Sequence, residues 1–559
     1  MLLAVLLVAA SSVAPSHPSE RLRPPPLPAI GSETVVATGL IVARPAARSC
    51  TVNLFADTEF KGEAQLPIAY RPPAECPGPW AKVVFEGDFR VTAGEQYDRT
   101  GFVTLAGVNL FTGTTMEPRK ALAPTWHVER DVTDYAALFA APRDGQALLT
   151  NYVDERYTGR VFWSGRLVFY PAAKAGIADT ADFIKAVTDR PVQIDAASPL
   201  VTRTITFPRN LQRLMIDVLA QPQADDEFWW ICQPKADKSP EADKSAADKT
   251  KATDCGRPFR DVEVLIDGRI AGLAAAYPWI YTGGVNPRMW TLAAGVEALD
   301  LSPTRVDLTP FAALVNDGKP HTVAIRVAGA SRYFFAMGTL LGWRDVGRKV
   351  VTGALDTSTL APARVALTGG NGPVDEDRFG DAVTTAARAG QATGHLDTSR
   401  GRVTTTVAYR MAFRNVQRGA AGGGRIDQDS DVETQRTIRD RDGVRRHSVV
   451  ERFPLLVEIA SSKEGADRIS DMHFRQGLTR TETDQAGGKT RRRMTSLLVE
   501  PRVHSTIPPS GRRDAKSQAT TVSTTIVRDD DAGCYDRTVT VTDGRVAAVR
   551  DGCAADRKE

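Results

Sequence analysis

The sequence predicts an all-β protein of the sandwich or jelly-roll kind, and three observations carry that expectation. Apolar residues recur with a period of two through many short segments, as strands with one buried face require. Gly, Pro and Asp punctuate those segments, twice as the Asp-Gly pair that closes a two-residue hairpin. Helical periodicity is almost missing. At 559 residues the chain exceeds what a single core organises, so about two to four domains are expected.

Taken in order, the chain opens with "MLLAVLLVAASSVAPSHP". Its apolar run from Leu2 to Ala10 is too short to span a bilayer and reads as a secretory signal, with cleavage between Ala10 and Ala14. "RLRPPPLPAI" follows as a Pro-rich tether with no core of its own. In "DVTDYAALFAAP" a short helix is expected, with Thr133 as its N-cap. "LMIDVLA" places Leu214, Ile216 and Val218 on one strand face. "DVEVLIDGRIAGLA" alternates Val262, Val264 and Ile266 before a hairpin at Asp267-Gly268. "TTVAYRMAF" alternates Val407, Tyr409, Met411 and Phe413, and "RTVTVTDGRVAAV" turns at Asp543-Gly544. Breaks in this pattern at 195–203 and 352–378 divide the chain into 1–33 (signal and tether), 34–192, 193–350 and 351–559. The run "KADKSPEADKSAADKTKATD" is a charged low-complexity insertion, solvated and without a fold, and "GAAGGGR" (419–425) is a flexible loop.

Six cysteines fall into three sequence-local couples, Cys50 with Cys76, Cys232 with Cys255, and Cys534 with Cys553. In an exported chain an even count suggests disulfides. Locality favours this pairing, although six cysteines admit about fifteen. Each bridge would close a short loop and contribute about 3 kcal/mol. Zinc is the competing use, but no CxxC, HExxH or closely spaced histidine pair occurs. A metal and a cofactor are therefore not expected.

The net charge is only +4 with acids and bases interspersed, which disfavours a nucleic-acid partner. Without a G-x-S-x-G elbow, a Walker sequence or a Rossmann fingerprint, serine-hydrolase, NTPase and dehydrogenase readings are weak. Carboxylate chemistry remains. Two acidic spots sit among aromatics, "QYDRTG" at 96–101 and "ADDEFWWIC" at 224–232. Asp98 beside Arg99 is expected to keep a low pKa, and a Glu packed against Phe228, Trp229 and Trp230 a raised one, giving a base and an acid. The tetrapeptide Tyr97-Asp98-Arg99-Thr100 returns as Tyr535-Asp536-Arg537-Thr538. The second copy follows Cys534 in a short hairpin and reads as strand-edge chemistry without catalytic use.

From Cys50 onward the chain carries a long series of motifs: "YRPPAECPGPWAKVVFEGDF", "QYDRTGFVTLAGVNLFTGTTMEP", "WHVERDVTDYAALF", "NYVDERYTGRVFWSGRLVFYPA", "DDEFWW", "FRDVEVLIDGRIAG" and "YPWIYTGGVNPRMW". In order and spacing these resemble the acidic peptide N-glycanases, the plant-type glycoamidases (peptide-N4-(N-acetyl-β-glucosaminyl)asparagine amidase A) and their bacterial relatives, over about residues 50–345. A more distant similarity is to peptide-N-glycosidase F. The resemblance implies two adjacent jelly rolls that form a cleft, followed here by a third β-rich domain of unassigned use.

It implies hydrolysis of the amide between asparagine and the innermost N-acetylglucosamine of an N-glycopeptide or N-glycoprotein, giving aspartate and a glycosylamine. Preference for acidic pH and acceptance of core-fucosylated glycans are implied with it. On this reading Asp98 and Glu227 are catalytic, with Asp226 the neighbouring candidate for the second carboxylate. Arg99 and Arg288 hold carboxylates and polarise the carbonyl oxygen. Glu117 touches substrate or braces Arg119, and Asn151 stands where the distant relative has a third acid. Trp229, Trp230 and Trp290 offer sugar-facing rings; of the consecutive pair one is core, since neighbouring strand residues point to opposite faces. The expected protein is a secreted or periplasmic monomer without a membrane span. A non-catalytic glycan-binding or adhesion protein is the rival reading, and a glycosidase cutting inside the glycan a third.

Overall fold

The structure, a computed structural model, describes residues 20–33, 41–119, 121–172, 179–232, 256–369, 380–511 and 515–553. The signal sequence and the charged insertion named above lie outside the described residues. What is described is all-β, in agreement with the period-two pattern.

The first unit has eight strands: β1 (Cys50–Phe60), β2 (Leu66–Tyr70), β3 (Trp80–Val91), β4 (Thr100–Leu105), β5 (Val108–Thr114), β6 (Thr125–Asp131), β7 (Arg143–Leu149) and β8 (Val161–Pro171). They form two four-stranded sheets in the orders β1-β8-β3-β6 and β2-β7-β4-β5. That is jelly-roll order, with each sheet drawing strands from both halves of the unit. The two inner faces meet in aromatics: Phe85 stacks on Phe111 with centroids 5.4 Å apart, and Trp163 meets Phe111 edge-on at 5.5 Å. The outer face of β3 is covered as well, where Val42 packs with Val84, Val168 and Tyr170. This is why "WAKVVFEGDF" is nearly continuous in apolar residues.

The second unit repeats the order. Its strands are β9 (Phe183–Ala186), β10 (Val192–Ile194), β11 (Leu200–Thr206), β12 (Leu211–Gln223), β13 (Asp261–Ile266), β14 (Arg269–Ala275), β15 (Thr304–Asp307), β16 (Pro320–Ala328) and β17 (Tyr333–Arg344). One sheet runs β9-β17-β12-β15, with β10 also on β17, and the other runs β11-β16-β13-β14. Because β9 pairs with β17, the second roll begins before residue 193. The β13–β14 hairpin turns at Asp267 and Gly268 with φ of 50° and 77°, the left-handed pair that a type I′ turn requires.

Beyond residue 351 the described residues form one antiparallel sheet of twelve strands, from Thr352–Ser358 to Arg545–Asp551. It forks at Gly423–Asp440, which pairs with Gly443–Arg452 along one half and with Leu455–Glu464 along the other. A buried cation joins it to the second roll: Arg388 pairs with Asp261 and, at 2.6 Å, with Glu263.

Three local expectations are corrected. "GAAGGGR" is no loose loop. Gly419 and Ala420 pair with Gly424 and Gly423 across a tight turn, because glycines there allow the positive φ of 76° at Gly422. Thr133 does not cap its helix; it lies inside the first turn, and its N–H is taken by Asp131 Oδ1 at 3.0 Å while its hydroxyl accepts Val83 N. The Pro-rich segment at 20–33 is docked on the long sheet. Leu22 N donates to Ala532 O, Gly31 N to Val546 O, and the Arg537 guanidinium to the carbonyls of Pro25 (2.9 Å) and Pro26 (3.2 Å). Arg537 Nη1 serves both carbonyls, which leaves Nε and Nη2 to hold Asp551 as a fork. The second Tyr-Asp-Arg-Thr copy thus anchors the N-terminal segment, with Arg537 also paired to Asp551.

Disulfides join Cys50 to Cys76 and Cys534 to Cys553. Cys232 is disulfide-bonded and fully buried; its expected partner Cys255 lies outside the described residues.

Candidate active site

Four segments meet where the two rolls touch. The turn at 95–99 ahead of β4 carries Asp98. The residues after β5 carry Glu117. From the second roll come a 3-10 segment, Ala224–Ile231, directly after β12, and the long loop 276–303 between β14 and β15. The seam is hydrogen-bonded along its length. Gln221 Nε2 donates to Thr100 Oγ1 at 2.8 Å, Thr282 Oγ1 to Thr115 O at 2.7 Å, Thr114 N to Ala298 O at 3.0 Å, and Leu301 N to Thr112 O at 2.9 Å. β5 is an edge strand of the first roll, so its free backbone groups are available to the neighbouring loop.

Three carboxyl groups share this seam. A Cβ added at Gly283 would clash with Asp98 Oδ1 and stand 2.7 Å from Glu117 Oε1, so both acids close around one glycine of the second roll. Burial pushes Asp98 up to about 6. Its own N–H, the neighbouring Arg99 charge and the Gly283 N–H oppose the rise. Burial pushes Glu117 up to about 7, and the charge of Asp98 adds to it, against the pull of Arg119. Glu227 rises furthest, to about 8, through burial first and then the charges of Asp98 and Glu117. The three carboxyls therefore feel one another across the seam, although they come from both rolls. The raised Glu227 agrees with the sequence expectation. The low pKa expected for Asp98 is overturned: loss of water outweighs the charge of Arg99, whose Nη2 turns to Gln96 Oε1 at 2.7 Å.

The remaining candidates divide. Asp226 is structural. It is fully buried, pairs with Arg260 at 2.5 Å, and accepts the backbone N–H groups of Ser331 (2.9 Å) and Arg332 (2.6 Å). Glu227 is thus the acid of that pair which joins the seam. Trp229, Trp230 and Trp290 are each 1% exposed and show no ring face to a ligand. Because the segment is 3-10 rather than strand, both members of the Trp229-Trp230 pair turn inward, toward Phe413 and Phe474 of the long sheet. Trp290 Nε1 is tied to Gly284 O at 2.9 Å. Arg288 is exposed, with its N–H capped by Asn286 Oδ1. Asn151 is buried behind Gln96; its Nδ2 reaches Gly159 O at 3.4 Å and its Oδ1 has no partner among the described residues. Arg99 Nε is likewise buried and unpartnered.

Sequence reasoning missed the exposed aromatics and the glycine. Tyr97 and Tyr152 are 48% and 49% exposed. Tyr157 packs against Tyr97 with centroids 5.0 Å apart and hydroxyls at 3.1 Å. Tyr97 directly precedes Asp98, and Tyr152 and Tyr157 lie in the "NYVDERYTG" loop, a motif already quoted. Tyr281 and Tyr333 also lie in the field of Glu227, which raises both phenols after burial. Gly283 was legible only as one of two glycines in "TGGVNP". Elsewhere, Glu86, His127 and Glu129 approach one another closely enough to hold a cation. Arg44 reaches both acids, at 2.6 and 2.9 Å, and Arg166 reaches Glu86 at 2.6 Å, so guanidinium charge already fills that role.

The class is thus a double jelly-roll protein with a carboxylate site on the seam between its rolls. Residues 46–352 match the family described as peptide N-acetyl-beta-D-glucosaminyl asparaginase amidase A, and the chain belongs to that family. It is 27% identical over 376 residues to "Peptide-N4-(N-acetyl-beta-glucosaminyl)asparagine amidase A" of Prunus dulcis, a match that spans 63% of this chain and 63% of the almond protein. Among solved structures, PNGF-II is similar over 53% of this chain and 66% of its own, at 11% identity and a TM-score of 0.35. PNGase F, a glycosylasparaginase from Flavobacterium meningosepticum, is similar over 53% and 96%, at 10% identity and a TM-score of 0.33.

Proposed function

We infer that this chain is a peptide N-glycanase that hydrolyses the amide between asparagine and the innermost N-acetylglucosamine of N-glycopeptides or N-glycoproteins. The observation that carries the reading is the graded set of carboxyls on the seam, in a chain of this family. Near pH 6 to 7 Glu227 holds its proton, Asp98 is substantially ionised, and Glu117 titrates between them. Amide hydrolysis needs both states at once, a base for water and an acid for the departing nitrogen.

Asp98 takes a proton from water as its oxygen adds to the amide carbonyl carbon. Arg99 Nε, which has no partner among the described residues, donates to the oxygen that gains charge. Glu227 gives its proton to the nitrogen as the carbon–nitrogen bond breaks, leaving aspartate on the peptide and a glycosylamine. The charge of Asp98 holds the proton on Glu117, so Glu117 stays neutral beside the ionised base. Tyr97, Tyr152 and Tyr157 line the approach with the amphipathic rings that suit sugar faces, a role the buried tryptophans do not take. Disulfides at Cys50–Cys76 and Cys534–Cys553 support an extracytosolic, secreted or periplasmic place of action.

The test is the mass of the peptide after incubation with an N-glycopeptide. Release of the whole glycan with Asn converted to Asp supports the reading. A peptide that retains one sugar supports a glycosidase, and an untouched glycopeptide that remains bound supports a glycan-holding protein.

A further inference from the structure

The loop 276–303 brings Gly283 to Asp98 and Glu117, yet it has little regular backbone of its own beyond the 3-10 turn Pro287–Trp290. A long loop of this kind keeps one shape only when something outside fixes it. The twelve-stranded sheet does so. Gln476, fully buried on the strand Asp467–Ala486, donates from Nε2 to Pro278 O at 2.7 Å and accepts at Oε1 from Val296 N at 2.9 Å. One side-chain amide thus staples both ends of the loop that carries Gly283. Thr521 Oγ1 donates to Met289 O at 2.7 Å, and the hydroxyl of Tyr277, at the loop's start, donates to Gly477 O at 3.1 Å.

The same sheet holds the other arm. Asn415 Nδ2 donates to Trp230 O at 2.9 Å, and Gln417 Nε2 to Cys232 O at 3.2 Å, just beyond Glu227. Phe413 and Phe474 pack on Trp229 and Trp230. Both the loop 276–303 and the segment that carries Glu227 are therefore held by hydrogen bonds from the long sheet.

We propose that residues 351–559 act as a positioning platform for the reaction, with Gln476 the positioning residue that seats Gly283 against Asp98 and Glu117, and Asn415 its counterpart beneath Glu227. The proposal rests on the assignment of these carboxyls as the reacting groups. Gly283 excludes water from two acids and turns its N–H toward one of them. Releasing its loop by an ångström admits water, and misplacement on that scale costs about 100-fold in rate. The carboxyls then move back toward their ordinary range, so the acid limb of the rate profile moves to lower pH. Substrate contacts made by the first roll stay in place.

The experiment compares the full chain with Gln476→Glu, Thr521→Val, Gly283→Ala and Asp98→Asn on one N-glycopeptide, reading kcat, KM, the pH–rate profile and thermal unfolding. Gln476→Glu keeps the shape but sets an acceptor against Pro278 O. Thr521→Val removes one tie without burying a charge, and serves if the first variant does not fold. The expected result is a fall in kcat of about 10- to 100-fold for Gln476→Glu and Gly283→Ala, a smaller fall for Thr521→Val, KM little changed, and an acid limb displaced to lower pH in all three. Folded variants with the parent's kcat and profile overturn the platform. An inactive Asp98→Asn alongside them leaves the site reading standing and removes only this inference, whereas an active Asp98→Asn overturns both.

Discussion

Replacing Glu227 by Gln should abolish a pH dependence of stability that the folded chain now carries. The seam lifts this carboxyl from an ordinary 4.5 to about 8. Each tenfold change in proton affinity corresponds to about 1.4 kcal/mol, so the ionised side chain would cost the fold about 5 kcal/mol if the whole rise belonged to Glu227 alone. Part of it is shared with Asp98 and Glu117, which titrate in the same field, and the side chain is partly solvated; about 3 kcal/mol is the working figure. Between pH 4.5 and 8 the folded chain holds more protons at this site than the unfolded one, so stability falls as pH rises through that window. It is fully present below pH 4.5. A Gln cannot ionise and so matches the parent near pH 5, then exceeds it by about 3 kcal/mol at pH 8.5. Urea unfolding followed by tryptophan fluorescence at the two pH values gives the difference directly. A gap between the two proteins that is the same at both pH values would refute the buried, charge-coupled seam.

Three further outcomes follow from the same contacts. Asp98→Asn should eliminate deamidation of an N-glycopeptide while leaving the circular dichroism spectrum that of the parent, and Asp536→Asn should keep full turnover; the peptide mass reports both. Tyr157→Ala removes the ring packed on Tyr97 and should raise KM by about 5- to 10-fold, an aromatic contact being worth about 1 kcal/mol, with kcat nearly unchanged in steady-state kinetics. Asp226→Ala strands the buried Arg260 charge and should cost about 3–5 kcal/mol in denaturant unfolding, a loss of fold rather than a selective loss of chemistry.

Much of the architecture could be read in the sequence because its causes are local. Val262, Val264 and Ile266 followed by Asp267-Gly268 specify a strand and the turn that ends it, since alternation and left-handed φ are properties of neighbouring residues. Asp98 and Glu227 were recognisable by their motifs. Their pairing was not, because it depends on how two rolls lie edge to loop. The same limit explains the errors. Arg99 follows Asp98 in sequence, which suggested a lowered pKa, but the seam removes the water, and that loss outweighs the charge. Trp229 and Trp230 were placed as strand neighbours with one ring outward; the 3-10 turn and the distant Phe413 and Phe474 draw both inside. Asp226 and Glu227 are adjacent letters of one type, separated in role by an Arg260 that stands beyond the charged insertion.

What the sequence determined by itself was the all-β class, the hairpin turns at Asp267-Gly268 and Asp543-Gly544 and two of the cysteine couples, all set by residues close along the chain. Tertiary structure alone decided which acids share a field, that Gly283 lies between two of them, that the Pro-rich segment is pinned by Arg537, and that Gln476 grips the loop from a separate sheet. Burial and Coulomb coupling depend on distance in space, and no spacing along the chain encodes a contact made between separate sheets.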